Sequence, residues 1–347
     1  IIFNYYNTTF LEMKKILITG HAGFIGSHVL RHFVYSYPEY DIHGMDSLTY
    51  AANLDNVKDI EDRYTLHVMD IRNREGLMRI FEREQFTDVI HLAAESHVDN
   101  SISNPLIFAE TNILGTLNLL DAFRKYSTGR FHHVSTDEVY GYLHIGDPEF
   151  TETTPYDPSS PYSASKAASD HFVRAYHRTY GIDVTITNCS NNYGPNQNHE
   201  KFIPTVIRSI INEEPIPIYG KGENIRDWLF VGEHAQAIDV VFHTGVPGET
   251  YNVGGNMEMS NLDLVYLICD MMYERGWSNG NARKLITFVT DRPGHDFRYA
   301  IDSSKLSEKL RWSPYPELFR QNLLETIDWF SEIYNLKPSI GRPKTKE

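Results

Sequence analysis

The segment STDEVYG, residues 135–141, sets a hydroxyl (Thr136), two adjacent carboxylates (Asp137 and Glu138) and a tyrosine at the end of an apolar run. Farther along, Tyr162 and Lys166 form a YxxxK pair inside a helical pattern. That spacing puts both side chains on one helix face. A free tyrosine, with a pKa near ~10, is a poor base at neutral pH. A nearby ammonium, together with a positively charged cofactor ring, stabilises the phenolate and lowers that value. Tyr162, Lys166 and Thr136 can therefore oxidise an alcohol, given a hydride acceptor. That oxidation needs no further acids, and a YxxxK pair by itself also occurs on ordinary exposed helix faces. Two carboxylates beside the same hydroxyl predict a second step: removal of a proton next to the new carbonyl and protonation of a leaving group, an elimination of water. A ketone acidifies its α-carbon, so a carboxylate becomes an adequate base only after the oxidation. The plainer alternative is that Asp137 and Glu138 cap the following turn.

A hydride acceptor has a place to bind. Residues 19–26 read TGHAGFIG, with Gly20, Gly23 and Gly26 between a strand pattern and a helix pattern. Glycine there permits a tight turn and lets backbone N–H groups approach a pyrophosphate at the helix N-terminus. The GxxGxxG spacing is not the general GxGxxG fingerprint, and glycine-rich turns are common. Two features add to it: the turn follows the first strand pattern, and Asp46 lies twenty residues past Gly26 at the end of the second. A carboxylate at that point accepts hydrogen bonds from the adenosine ribose and repels a 2′-phosphate. The expected cofactor is NAD, not NADP.

These residues need a scaffold that gathers strand ends. Short β-branched runs (14–20, 41–46, 64–70, 87–94, 130–136, 183–190) alternate with helical patterns (24–36, 74–84, 106–126, 160–180). The alternation predicts an α/β fold, a doubly wound parallel sheet covered on both faces. After about Asn191, loops rich in Asn, Pro and Gly separate helical patterns at about 203–213, 233–243, 261–274 and 317–334. This reads as a smaller mixed region that holds a ligand. The expected organisation is a cofactor domain over 13–190, to which the chain returns around 227–255, and mainly a substrate domain over 191–335. Residues 1–12 read as an extension outside the core, with Met13 a natural start for the first strand, and 336–347 as a flexible tail.

At 347 residues, 41% apolar and 13% aromatic, the chain can bury a substantial core. A formal charge of −14 and a pI of about 5.6 argue against non-specific nucleic-acid binding. A few local arginines can still hold a phosphate. Cys189 and Cys269 have no CxxC spacing and no His-rich neighbourhood, so they read as reduced structural thiols of a cytoplasmic protein; no metal is expected. No apolar run reaches the ~20 residues that span a bilayer, and residues 1–12 do not have the pattern of a signal peptide.

From about Met13 to about Ile333 the chain resembles the dTDP-glucose 4,6-dehydratases, within the extended short-chain dehydrogenase/reductases of Rossmann fold. The resemblance is carried by DSLTYAANLDN (46–56), HLAAESHVDNSI (91–102), STDEVYG, NCSNNYGP (188–195), PIYGKGENIRDW (217–228) and VTDRPGHDFRYAID (289–302). It implies that Gly20, Gly23, Phe24, Ile25 and Gly26 hold the cofactor pyrophosphate and that Asp46, Ser47, Leu48 and Thr49 meet the adenosine ribose. Asp70 and Ile71 would flank the adenine, and Leu92, Ala93, Ala94, Ser96, Thr111 and Asn192 would line the remaining path. Tyr162 would take the proton of the sugar 4-hydroxyl, Lys166 would tune Tyr162 and hold the nicotinamide ribose, and Thr136 would hydrogen-bond the 4-oxygen. Glu138 would remove the C5 proton and Asp137 would protonate the departing C6 hydroxyl. NAD is then regenerated, the product is a nucleotide 4-keto-6-deoxyglucose, and the enzyme is a lyase. For the substrate the resemblance implies Ser96, Asn191, Lys201, Arg226, Asn261 and His295, framed by Pro217, Ile218, Tyr219, Asp291 and Arg292. On chemistry alone Arg226 suits the diphosphate best, because a guanidinium fork matches phosphate geometry. A homodimer is also implied, with helices 106–126 and 160–180 packed as a four-helix bundle.

Two departures bear on the base. Phe297 stands where a basic residue is usual, and NQNHEK (196–201) differs from the commoner sequence after NNYGP. Both dTDP-glucose and UDP-glucose therefore stay in view. A 4-epimerase of the same superfamily needs no carboxylate pair after its threonine. Nucleotide-sugar decarboxylases and GDP-mannose dehydratases usually carry Thr-Ser-Glu there, and a non-catalytic NAD-sensing relative loses the Tyr or Lys of YxxxK. Whether the product goes on to rhamnose or another deoxysugar is decided by other enzymes.

Overall fold

The structure, a computed structural model, describes residues 13–291 and 295–336. The expected extension at 1–12, the tail from 337 and Arg292 lie outside the described residues.

β1 (Lys15–Thr19) reads KILIT, and Ile16, Leu17 and Ile18 are all fully buried. Ile16 and Ile18 join the core on one face and Leu17 the core on the other. A strand covered on both faces needs such a continuous apolar run. β2 (Asp41–Asp46), β3 (Thr65–Val68), β4 (Asp88–His91), β5 (Arg130–Thr136) and β6 (Asp183–Cys189) follow. Beyond them lie β7 (Asn191–Tyr193), β8 (Ile216–Tyr219), β9 (Ile225–Phe230), β10 (Thr250–Val253), β11 (Glu258–Ser260) and β12 (Ile286–Val289). Seven of these form an all-parallel sheet in the order β10-β6-β5-β4-β1-β2-β3. The chain winds outward from β1 through β2 and β3, then returns to pair β4 on the other side of β1. The crevice outside the carboxyl ends of β1 and β4 is where sheets of this kind bind ligands.

Leu77, Phe81, Phe123 and Val173, from the helices Arg74–Glu84, Thr116–Tyr126 and Pro161–Tyr180, cover one face. Val29, Phe33, Ile238 and Phe242, from Phe24–Ser36 and Val231–Thr244, cover the other. The helix expected over 106–126 is not uniform. Short helices at Val98–Ser103 and Pro105–Phe108 lead into a π-helical stretch, Ala109–Gly115, before α-helix resumes at Thr116–Tyr126. Asn112 lies within that stretch and is buried. Its amide accepts the Glu95 N–H at 2.8 Å and donates to the Glu95 carbonyl at 3.0 Å and the Ser165 hydroxyl at 2.8 Å. A widened turn turns that side chain inward, as π-bulges at functional sites do.

The second region has two small sheets, β11-β9-β7 and β12-β8, beside the helices Phe202–Asn212, Asn261–Glu274 and Phe319–Leu336. Its core is Ile207, Ile218, Leu264, Ile268, Leu323 and Ile327. Between the two regions the chain returns to the large sheet through Val231–Thr244 and β10. Asp239 on that returning helix accepts from His32 at 2.6 Å, His243 at 2.6 Å and the Tyr37 hydroxyl at 2.7 Å, which clamps it to Phe24–Ser36.

Candidate active site

Gly20 follows β1 with φ +73°, a left-handed conformation that favours glycine. A Cβ on Gly20 would lie 2.8 Å from the Ala93 nitrogen, and one on Gly26 would lie 2.0 Å from the Gly20 oxygen. The β1 turn, the end of β4 and the helix Phe24–Ser36 thus touch backbone to backbone. No acidic residue occupies the first turn of that helix, so its positive dipole end is uncompensated and suits an anion. At the end of β2, Asp46 accepts the Leu48 N–H at 2.8 Å on one oxygen and the Ala22 N–H at 3.2 Å on the other. Leu48 takes φ +54° to make that contact.

One cavity is lined by Gly20, Gly23, Phe24, Ile25, Gly26, Asp46, Ser47, Thr49, Asp70, Ile71, Leu92, Ala93, Ala94, Ser96, Thr111, Tyr162, Lys166 and Asn192. These are the residues expected to meet NAD, with Leu48 the exception: it does not line the cavity, and its backbone N–H orients Asp46. The set fits a dinucleotide, since the glycine cradle has no room for a Cβ and the Asp46 carboxylate lines the same cavity at the end of β2. Thr136, Asp137, Glu138, Asn191 and Lys201 line the same cavity, and Lys201 donates to the Ser96 carbonyl at 3.1 Å across it.

β5 ends at Thr136, and Asp137–Tyr140 winds into a 3-10 turn. The Thr136 hydroxyl accepts the Glu138 N–H at 3.3 Å and donates to Asp137 Oδ1 at 3.4 Å. Asp137 is 2% exposed. Burial first, then Glu138 and Asp227, push its carboxyl well above the ordinary carboxylate range. The direction favours the protonated acid. The Tyr162 phenol is also pushed above its ordinary value, by burial first and by Glu138 next, while its hydrogen bond with Thr136 works the other way. Lys166 is 5% exposed and donates to the Val134 carbonyl at 2.9 Å. Burial lowers its pKa, and Asp170, one helical turn on, raises it. Asp170 is itself fully buried, accepts from Ser135 at 3.0 Å and Tyr156 at 2.8 Å, and lies 3.2 Å from His133. The chain alone thus keeps Tyr162 protonated, so the expected phenolate needs positive charge from outside the polypeptide.

A family model described as GDP-mannose 4,6 dehydratase matches residues 17–321. The dTDP-glucose 4,6-dehydratase of Salmonella typhimurium is 51% identical over 335 residues, covering 91% of this chain and 92% of that protein. The dTDP-glucose 4,6-dehydratase of Streptomyces venezuelae, solved with NAD and dTDP bound, superposes with a TM-score of 0.87 at 39% identity, covering 93% of this chain and 98% of that one. The chain belongs to the dTDP-glucose 4,6-dehydratase family. A UDP-glucose 4-epimerase from Thermotoga maritima shares the fold, with a TM-score of 0.83 at 27% identity over 92% of this chain and 99% of that one. Fold alone therefore does not separate the two chemistries, and the acid pair after β5 has to.

The residues tied to the nucleotide by resemblance to the dTDP-glucose 4,6-dehydratases form a second group beside the cavity. Arg226, on β9, is 5% exposed and donates to the carbonyls of Ile225, Asp296 and Phe297 at 2.7, 3.0 and 3.3 Å. It also lies 4.4 Å from the Tyr299 ring centre, and its charge reaches Asp137 and opposes the rise of that carboxyl. His295 pairs with Asp291 at 2.6 Å and stands edge-on to Tyr219. Asn261 opens the helix Asn261–Glu274, and its N–H donates to the Asn224 carbonyl at 2.9 Å. On β8, Pro217 and Tyr219 face outward while Ile218 is fully buried in the second core. Ile218 can therefore reach a ligand only through its backbone. Asp227, Asn112 and Tyr299 are not among the residues expected from the sequence, and Cys189, expected to be a structural thiol, lines the cavity. Asp227 sits inside IRDW and accepts the Gly255 N–H at 2.7 Å and the Met257 N–H at 2.6 Å. Its adjacency to Arg226 was the available signal.

Proposed function

We propose that this chain is an NAD-dependent dTDP-glucose 4,6-dehydratase, a hydro-lyase that converts dTDP-glucose to dTDP-4-keto-6-deoxyglucose and water. The observation that carries it is Asp137, a buried carboxyl whose pKa is pushed up, beside Glu138 and Thr136 in the same cavity as Tyr162 and Lys166. An epimerase has a use for the Tyr–Lys pair and none for this acid. NAD, when bound, supplies a reversible hydride acceptor and the positive nicotinamide that makes Tyr162 a base. The glycine turn holds its pyrophosphate and Asp46 its ribose. Tyr162, guided by Thr136, takes the proton of the C4 hydroxyl. With C4 a carbonyl, Glu138 takes the C5 proton while Asp137 gives its proton to the C6 hydroxyl, which leaves as water. Glu138 returns its proton to C5 as C6 is reduced. Arg226 meets the diphosphate, and Tyr219, Asn261, Asp291 and His295 meet the nucleoside.

The identities of about half to relatives named for dTDP-glucose support thymine as the base. Two unpaired buried thiols, Cys189 and Cys269, support a reducing, cytoplasmic compartment. Among the described residues no helix is long and apolar enough to cross a membrane. Leu106, Leu114, Phe172 and Tyr180 are exposed on the two helical stretches proposed for a dimer, and supports of that kind call for a particle of twice 40.1 kDa in solution. The deciding experiment is mass spectrometry of the protein incubated separately with dTDP-glucose, UDP-glucose and GDP-mannose without added reductant. Loss of one water from dTDP-glucose, fastest of the three and with no net NADH, is the expected result. Carbon-4 inversion without a mass change would mean an epimerase.

A further inference from the structure

We infer that Thr136 is also the proton bridge that resets the site between turnovers, by passing the proton gained by Tyr162 to Asp137. This rests on the dehydratase reading above. In one turnover the C4 hydroxyl proton ends on Tyr162, and the C6 hydroxyl leaves as water with a proton from Asp137. The C5 proton goes to Glu138 and returns. The electron pair removed at C4 comes back at C6, so the sugar has lost only water. The protein, however, is left with Tyr162 as the phenol and Asp137 as the carboxylate. A second turnover needs the O–H bond on Tyr162 to break and one on Asp137 to form.

Thr136 is placed for that transfer. Its hydroxyl stands 3.4 Å from Asp137 Oδ1, and it lines the same cavity as Tyr162, close enough to favour the phenolate. The Glu138 N–H, at 3.3 Å, fixes it between them. A hydroxyl both donates and accepts, so Thr136 can give its proton to the carboxylate while taking one from the phenol, and end unchanged. The 3.4 Å contact is long for a neutral acid and shortens when the acceptor becomes an anion. Asp137 is 2% exposed and meets solvent only through the cavity it lines, which a bound sugar fills. The nearby Cys189 thiol is pushed up to about 12, mainly by burial, and lies 3.4 Å from the Ser135 carbonyl, so it makes a poor substitute. The polypeptide alone holds the proton on Tyr162. The transfer therefore needs the positive nicotinamide, present again once the hydride has gone to C6, to favour the phenolate, while the cost of a buried carboxylate next to Glu138 favours a protonated Asp137.

The test compares two rates of the holoenzyme in Thr136→Val and Thr136→Ser. One is turnover with dTDP-glucose. The other is C4 oxidation of dTDP-6-deoxyglucose, which has no C6 hydroxyl to lose and reports through NADH absorbance. In the Val variant turnover is expected to fall about tenfold further than C4 oxidation does, and Ser should restore both. Equal falls in the two rates would overturn the bridge and leave Thr136 a partner of the oxidation alone. If the Val variant does not fold, Thr136→Ala serves for the same pair of rates. Failure of the wild type to remove water from dTDP-glucose would instead sink the dehydratase reading itself.

Discussion

The cofactor cradle and the nucleotide group are built from different material. In the cradle the backbone makes the site: Gly20, Gly26 and Ala93 meet within van der Waals contact, and two N–H groups already hold Asp46. In the nucleotide group side chains make it, and they are engaged with the protein's own carbonyls and carboxylates. Arg226 donates to three backbone carbonyls, and His295 is paired with Asp291. The first kind of site exists before its ligand. The second is held by the protein's own groups, three of the five Arg226 N–H donors serving those carbonyls. Asp137 sits at the seam, buried with the first group and within the field of Arg226 from the second.

The contrast predicts a graded set of losses. Gly26→Val places side-chain atoms where even a Cβ is 2.0 Å from the Gly20 oxygen, so NAD affinity should fall about 100-fold or more, some 2.7 kcal/mol. Calorimetric titration with NAD measures it, and affinity kept within about threefold would break the claim of a rigid cradle. Asp137→Asn should slow turnover about 100-fold while leaving NAD affinity unchanged; unchanged turnover would remove Asp137 from the chemistry. The same variant carries a stability signature. The folded pKa of Asp137 is raised, so the folded chain binds that proton more tightly than the unfolded chain does. Its contribution is full below the unfolded value near ~3.9 and is lost as pH rises through the folded pKa. The asparagine variant should therefore gain on the wild type in Tm as pH rises above about 5, until the folded carboxyl ionises. A constant difference over that window would mean that Asp137 is not held neutral. Arg226→Lys should have the smallest effect, raising KM for dTDP-glucose roughly tenfold with NAD affinity untouched, because an ammonium lacks the fork. A change in kcat at constant KM would relocate Arg226 from binding to chemistry.

What could be read in advance follows the same line. The run KILIT, the glycine spacing and the distance to Asp46 are local consequences of strand and turn geometry, and the cavity gathers the residues they point to. The strands of the second region are three to six residues long, too short to stand out among Asn- and Gly-rich loops. The π-helical stretch at Ala109–Gly115 was equally hidden, and the contacts Asn112 makes there are with residues 95 and 165, remote in sequence. For Ile218, the alternation on β8 shows why a motif position need not present its side chain: its neighbours face out and it faces in. Tyr162 teaches a further limit. YxxxK spacing places the lysine near the phenol, but only the fold shows the packing around that phenol and the Glu138 charge beside it, which push its pKa up.

The return of the chain through Val231–Thr244 and β10 has a practical consequence for anyone wishing to cut the molecule in two. β10 covers the edge of β6, and Asp239 fastens the returning helix to the one that begins at the glycine turn. A fragment ending at residue 190 would keep every glycine of the cradle yet bare a full row of hydrogen-bonding groups along β6 and the apolar face that meets Ile238 and Phe242. Such an uncovered edge invites strand pairing between copies. The cofactor half is thus not a separable module: its last pieces are encoded after the substrate-binding half has begun.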